Sequence, residues 1–387
     1  MDASIYSSGS RWVQRALALV DGVLARVVRT PSISGPIPEP RRILIANTGH
    51  LGDVILSTAV LPVLRRAFPH CRIGFLIGSW SRAILRDHPL VDDIHLFDHC
   101  RLNRGASSWL QKLRQHGRTR RQAVREFIDA RYDAAIDLRY YFGNAIPLLW
   151  QAGIPIRIGY SGGGFGPLLT HCLRWRCQDR HVVEYFADLL RLLPITPDCL
   201  AEVRPNLGPG DEAHPPALPH TPFVILHMGA GTACREWPIA HWQQLTRRLL
   251  ADGHTVVFTG QGAREGGNCA QVLVDSPRCV NLCDRLPWSE YVAVVRRARL
   301  VVAADSMAGH LAAAVGTRCV ILGNGIHHPA LWRPLGAVCR VLAHPVSCAP
   351  CHNPRGCATM DCVRRIDVDQ AWDAINELMR DALRQPA

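Results

Sequence analysis

Short apolar runs alternating with amphipathic segments form two series along the chain. In the first, Ile43–Ala46, Ile73–Ile77, Asp93–Phe97, Ala134–Leu138 and Arg157–Tyr160 read as strands, because each is brief, apolar and bounded by turn residues. In the second, Phe223–His227, Thr255–Thr259, Val280–Leu282, Leu300–Ala304 and Cys319–Leu322 have the same character. Helical periods fill the intervals, which predicts two parallel sheets. Between the series, Asn206–Thr221 is rich in Pro and Gly and marks a domain boundary. The pattern therefore predicts an α/β protein with two Rossmann-like domains, 41–205 and 222–366, and a cleft between them. Val368–Leu383 reads as a closing helix within 367–387.

Residues 1–30 read as one amphipathic helix. Trp12, Val13, Ala16, Leu17, Val20, Leu24, Val27 and Val28 make its apolar stripe, with Arg11, Arg15, Arg26 and Arg29 around it. Such a helix can lie on an anionic membrane surface or pack on the body of the protein, and packing is the favoured reading. Pro31–Pro40 is a linker, so 1–40 stands apart from the first domain.

Composition narrows the class. A chain of 387 residues with 48% hydrophobic residues supports two real cores. No apolar run is long enough to cross a bilayer, and Asp21 and Arg26 interrupt the first apolar stretch as they would not in a signal peptide. A cytoplasmic protein is the expectation. The net charge is +12, and Arg101–Arg131 contributes much of it: nine Lys or Arg against Glu126 and Asp129. That stretch suits a phosphate-bearing partner or is a solvated helical face.

Four loops carry candidate chemistry. After Ile43–Ala46, a loop with Gly49 and Gly52 leads to Asp53 at the start of a helix. A carboxylate at that strand end can be a general base or a helix N-cap. In His227–Pro238, Gly229 and Gly231 allow backbone N–H groups to approach a phosphate, and Arg235 can neutralise a diphosphate or be an ordinary surface charge. In Phe258–Glu265, Glu265 can bond a sugar or ribose hydroxyl or simply favour its helix dipole. In Ala304–Gly316, Asp305 or Ser306 caps a short helix, Gly316 ends it, and His310 lies in its first turns. The N-terminus of that helix suits a phosphate.

GDVILSTAVLPVLRRAFP, REWP followed by HWQQL, and DSMAGHLAAAVGT occur in this order across Arg41–Ile366. The chain thereby resembles the GT-B glycosyltransferases, and among them glycosyltransferase family 9, the ADP-heptose:lipopolysaccharide heptosyltransferases. The resemblance implies Asp53 as catalytic base. It implies donor-diphosphate contact by Arg235, where the family usually has Lys, and by Asp305, Ser306 and His310, where Met307 replaces the usual Gly. The implied reaction is inverting transfer of a heptose from an ADP-activated donor to a hydroxyl of the lipopolysaccharide core. It needs no cofactor for catalysis, because Arg235 and the helix end can carry the leaving-group charge. The acceptor would be an anionic glycolipid, with peripheral contact at the inner face of the inner membrane.

Cys348, Cys351, Cys357 and Cys362 follow C-x2-C-x5-C-x4-C, and four such thiolates can enclose a structural Fe or Zn ion. The arrangement resembles the autotransporter heptosyltransferases, which implies protein serine as an alternative acceptor. A metal-stabilised nucleic-acid-binding protein fits the charge and the cysteines. It explains neither the doubled α/β pattern nor the donor-like loops, so no nucleic acid is expected. A nucleotide-sugar epimerase shares the predicted architecture.

Overall fold

The computed structural model describes all residues except 1–10, 29–34, 177, 202, 209–217, 220, 337, 354 and 385–387. Parts of the N-terminal helix and of both linkers expected from the sequence therefore lie outside the described residues. The chain divides into two compact units, Met1–Gly208 and Pro209–Ala387.

In the N-terminal unit the strands are β1 (Arg42–Ala46), β2 (Arg72–Ile77), β3 (Asp93–Leu96), β4 (Ala134–Asp137), β5 (Ile156–Tyr160) and β6 (His171–Leu173). Its helices are α1 (Arg11–Val27), α2 (Leu51–Ser57), α3 (Val60–Ala67), α4 (Arg82–Leu85), α5 (Trp109–Ala130), α6 (Ile146–Gln151), α7 (Val182–Leu190) and α8 (Pro197–Leu200). The sheet runs β3-β2-β1-β4-β5-β6, and all its pairs are parallel. On one face, Leu44, Ala46, Leu76 and Phe97 pack against Ala123 and Phe127 of α5 and Leu148 and Leu149 of α6.

The C-terminal unit holds β7 (Phe223–His227), β8 (Thr255–Thr259), β9 (Cys279–Asn281), β10 (Leu300–Ala304), β11 (Cys319–Leu322) and β12 (Cys339–Leu342). Its helices are α9 (Ile239–Ala251), α10 (Ala263–Val272), α11 (Trp288–Arg297), α12 (Met307–Ala314), α13 (Pro329–Trp332), α14 (Asp361–Arg364) and α15 (Val368–Arg384). The order β12-β11-β10-β7-β8-β9 repeats the first topology read from the other edge, again wholly parallel. The closing helix packs within this unit: Ile375 and Leu378 of α15 join Trp237, Trp242, Leu226 and Phe258 in one core.

Both sheets thus have the doubly wound order in which the chain reverses direction beside its first strand. The reversal falls between β1 and β4, and again between β7 and β10. The central strands β1, β7, β8, β10 and β11 are almost wholly buried, which is why they read as unbroken apolar runs. The edge strands β6 and β12 are only partly buried and carry no such run. Trp242 is fully buried and meets Trp237 edge-to-face at 5.2 Å. Trp242→Ala is expected to destabilise the protein by about 3–5 kcal/mol, read as a lower urea midpoint.

Candidate active site at the strand ends of two doubly wound sheets

In the N-terminal unit, loops after β1, β2 and β4 meet at Asp53. The buried β1 leads through Asn47, Thr48 and Gly49 to His50, the N-cap of α2. Asp53 is therefore the third residue of the helix and not its cap. Its Oδ2 accepts the His50 N–H at 2.7 Å, the reciprocal arm of a capping box. Its Oδ1 accepts the Tyr141 hydroxyl at 2.9 Å. Gly52 lies inside the first turn of α2 and not in the loop. Gly49 has a steric reason: a Cβ there would lie 2.6 Å from the Asp53 carboxyl.

Neighbouring loops hold this arrangement. Trp80 donates its indole N–H to the Gly49 carbonyl at 2.8 Å. Thr48 donates to the Gly143 carbonyl at 2.6 Å. Buried Asp137, at the end of β4, accepts the N–H groups of Arg139 and Ala145. Burial pushes the Asp137 carboxyl up to about 7, against those donors and the Arg139 charge. Arg139 is 4% exposed; its guanidinium lies 3.8 Å over the Tyr141 ring, and its buried Nη1 has no hydrogen-bond partner. Burial raises the Asp53 pKa, but the charges of Arg139 and His50 and the bonds from His50 N–H and Tyr141 outweigh it. The carboxyl is held below its ordinary range and is ionised at neutral pH.

In the C-terminal unit the loops after β7, β8 and β10 carry the remaining candidates. Gly229 is buried and Gly231 exposed. A Cβ on Gly229 would lie 2.0 Å from the Glu265 carboxyl carbon. Glu265 sits in the first turn of α10, and its Oε2 accepts the Gln261 N–H at 2.9 Å. Burial raises its pKa, opposed by that N–H and by the Arg264 charge. Arg264 in turn bonds the Ala230 carbonyl at 2.5 Å and pairs with Glu236 at 3.1 Å. Trp237 anchors the far end of the loop through its indole N–H to the Ile366 carbonyl at 2.8 Å.

Arg235 Nη1 stands 3.8 Å from Asp305 Oδ2, too far for a hydrogen bond, and its buried Nε has no hydrogen-bond partner. Asn324 holds the same Asp305 oxygen at 2.6 Å, so Asp305 does not cap α12. Ser306 is the N-cap, and its buried Oγ is unbonded. His310 is 9% exposed on the same helix. Gly316, with φ +84°, ends α12 as expected. Thus Arg235, Asp305 and Ser306 lie in the two loops that flank the β7/β10 reversal, and His310 lies on α12, which follows the second.

The four cysteines are not gathered into a ligand set. Cys348, Cys351 and Cys357 are exposed and Cys362 is buried. Among the described residues no group of three or more His, Cys, Asp or Glu is placed to hold a metal. Instead the segment is strapped down by its backbone: Cys351 and His352 donate to Gly325 and Ile326 at 2.9 Å. A Cβ on Gly356 would lie 2.7 Å from Cys234 Sγ, beside Arg235.

Sequence reasoning missed Tyr141, Arg139, Trp80, Arg264 and Asn324. Arg139 and Tyr141 follow directly on β4, and the strand order alone places that end next to β1. The apolar pattern predicts β4 but not its neighbour in the sheet.

Two doubly wound sheets, each with charged loops at its reversal point, are the architecture of the GT-B glycosyltransferases. The model of glycosyltransferase family 9 (heptosyltransferase) matches residues 120–358, and the chain belongs to that family; it is a glycosyltransferase. It is 25% identical over 318 residues to lipopolysaccharide heptosyltransferase 2 of Escherichia coli (strain K12), covering 78% of this chain and 87% of that protein. It is 26% identical over 315 residues to lipopolysaccharide heptosyltransferase 1 of Pseudomonas aeruginosa (80% and 86%). The solved structure of the E. coli ADP-heptose lipopolysaccharide heptosyltransferase II superposes with a TM-score of 0.68 at 20% identity, covering 88% of this chain and 99% of that one.

Because the Asp53 pKa is depressed, its contribution to stability is full above the unfolded value of about 3.9 and is lost as pH falls through the lower folded value. Tyr141→Phe removes a bond that favours the carboxylate. The expected cost is about 1.5–3 kcal/mol at neutral pH, shrinking on acidification. Urea unfolding at several pH values checks this; a penalty independent of pH would show that Tyr141 does not favour the ionised form.

Proposed function

We propose that this glycosyltransferase moves a heptose from an ADP-activated donor to a hydroxyl of the lipopolysaccharide core, with inversion at the anomeric carbon. The observation that carries the reading is the ionised Asp53 carboxylate at the β1/β4 reversal. Asp53 takes the proton of the acceptor hydroxyl. That oxygen forms a bond to the anomeric carbon while the bond from this carbon to the diphosphate oxygen breaks, and the nucleoside diphosphate departs. One Asp53 oxygen is fixed by the His50 N–H. The other faces the Tyr141 hydroxyl and keeps lone-pair capacity for a second donor.

The C-terminal unit binds the donor. Arg235, the N–H groups at the start of α12 and the Ser306 hydroxyl supply positive charge and donors for the leaving diphosphate. Those groups support a reaction that needs no catalytic metal. Glu265 has a double part: it shapes the glycine loop through Gln261 and Gly229, and its other oxygen suits a ribose hydroxyl. What supports ADP-heptose as donor and the lipopolysaccharide core as acceptor is family membership together with the relatives, which are lipopolysaccharide heptosyltransferases.

Asp53→Asn is expected to retain donor binding by calorimetry and to lose about 10²–10⁴-fold in transfer rate, the usual worth of a general base. Full turnover in that variant would remove Asp53 from the reaction. Arg235→Ala is expected to weaken ADP-heptose binding, whereas Arg235→Lys keeps the charge but loses the guanidinium fork and falls between. Turnover with ADP-heptose on core glycolipid, and none on a protein serine acceptor, tests the acceptor.

A further inference from the structure

Helix α1 has two apolar faces, and among the described residues only one is packed on the fold. On the inner face, Leu17 is buried, and Leu24 and Val28 pack against Ile146, Leu168 and Leu169. Asp21 is buried too, and its Oδ1 accepts the Phe165 N–H at 2.7 Å. A Cβ on Gly164 would lie 2.6 Å from Leu17, so the helix is seated closely on the N-terminal unit. The expectation that α1 packs on the protein body holds for this face.

The outer face is different. Trp12 is 79% exposed, Leu19 72% and Val27 74%, with Val20 and Val23 between them. At 100° per residue these five fall within one stripe. Arg15 and Arg26 are exposed along its edge. The single acid in Arg11–Val27 is Asp21, which points inward. Ten of the thirteen exposed large hydrophobic side chains among the described residues lie on α1, α5 and α6. These helices are contiguous, since α5 packs on α6 and Ile146 of α6 touches α1. On α5, Arg114, Arg118, Arg121 and Arg125 are exposed at helical spacing, and none has a carboxylate partner among the described residues.

We propose that the outer face of α1, with the arginine ridge of α5, docks the protein on an anionic lipid surface. An apolar stripe edged by arginines, with Trp at one end and no outward acid, matches the acyl–headgroup boundary of such a surface. A second copy fits less well: two such faces meeting about a twofold axis would set Arg15 and Arg26 against like charges. No helix among the described residues is long and apolar enough to span a membrane, so this contact is peripheral.

Vesicle flotation of the full chain tests the proposal. Binding is expected to vesicles containing phosphatidylglycerol and not to pure phosphatidylcholine, and to weaken at about 0.5 M salt. Leu19→Glu with Val23→Glu is expected to reduce binding at least about tenfold with an unchanged circular dichroism spectrum. Arg15→Glu with Arg26→Glu, which leaves the apolar stripe and the α5 ridge intact, is expected to reduce both binding and the lipid-charge preference. Failure of the wild type to bind anionic vesicles, or full binding by both variants, would overturn it. So would a wild-type dimer that the Leu19/Val23 variant converts to monomer in light scattering. None of these readouts involves transfer, so they stand apart from the assignment of Asp53 and the donor.

Discussion

A carboxylate folded back over a glycine shapes the working loop of each unit. In the N-terminal unit the acid is Asp53 and the glycine Gly49; in the C-terminal unit they are Glu265 and Gly229. Each acid sits in the first turn of a helix and accepts a backbone N–H just ahead of it, from His50 or Gln261. The bond satisfies a donor that the helix leaves open, and the carboxyl then fills the space where a Cβ would stand. Neither loop tolerates a side chain at its glycine while the acid keeps that position. The strand order places both loops at chain reversals, where an open α/β sheet offers a crevice.

The two units spend their buried charge differently. Around Asp53, Arg139 and His50 lower the carboxyl pKa, so a negative group is kept ionised despite burial. Around Arg235 the nearest carboxylate, Asp305, is 3.8 Å away and is already bonded by Asn324. A guanidinium left with an unbonded buried Nε is costly in the free protein, and a diphosphate would relieve that cost. Cys234, next to Arg235, is covered by Gly356 of the cysteine segment. That segment thus packs against the Arg235 loop at Gly356, while the backbone bonds of Cys351 and His352 tie it to Gly325 and Ile326 after β11.

Most of the sheet architecture was legible in the apolar pattern because the central strands are buried on both faces. β7, β8, β10 and β11 match their expected limits residue for residue. β6 and β12 were invisible for the same reason in reverse: half-exposed edge strands such as His171–Leu173 need no apolar run. The charged candidates were legible as residue types, since strand-end glycines and acids stand out. Their bonding was not. Tyr141 is 88 residues from Asp53 in sequence, and only the β1–β4 pairing brings them together. Likewise the spacing of the four cysteines points to a metal knuckle, but the backbone bonds of Cys351 and His352 to Gly325 and Ile326 could not be read from that spacing.

The pairing of Asp53 with Tyr141 leaves room for both a structural role and the proposed chemical role of that acid. A single oxygen could not both cap a helix and receive a proton without loss to one task. Asp53 divides them: Oδ2 is committed to His50 N–H, and Oδ1 is directed to the β4 loop. Fixing Oδ2 locks the carboxyl plane, so Oδ1 is presented in one orientation with little entropy left to lose. Tyr141, stacked on Arg139, occupies one lone-pair direction of Oδ1 and leaves capacity for a second donor. A carboxylate held below its ordinary range is a weaker base in isolation. In the proposed reaction, any lengthening of the Tyr141 bond would raise the basicity of Oδ1, because that bond is one of the interactions that favour the carboxylate.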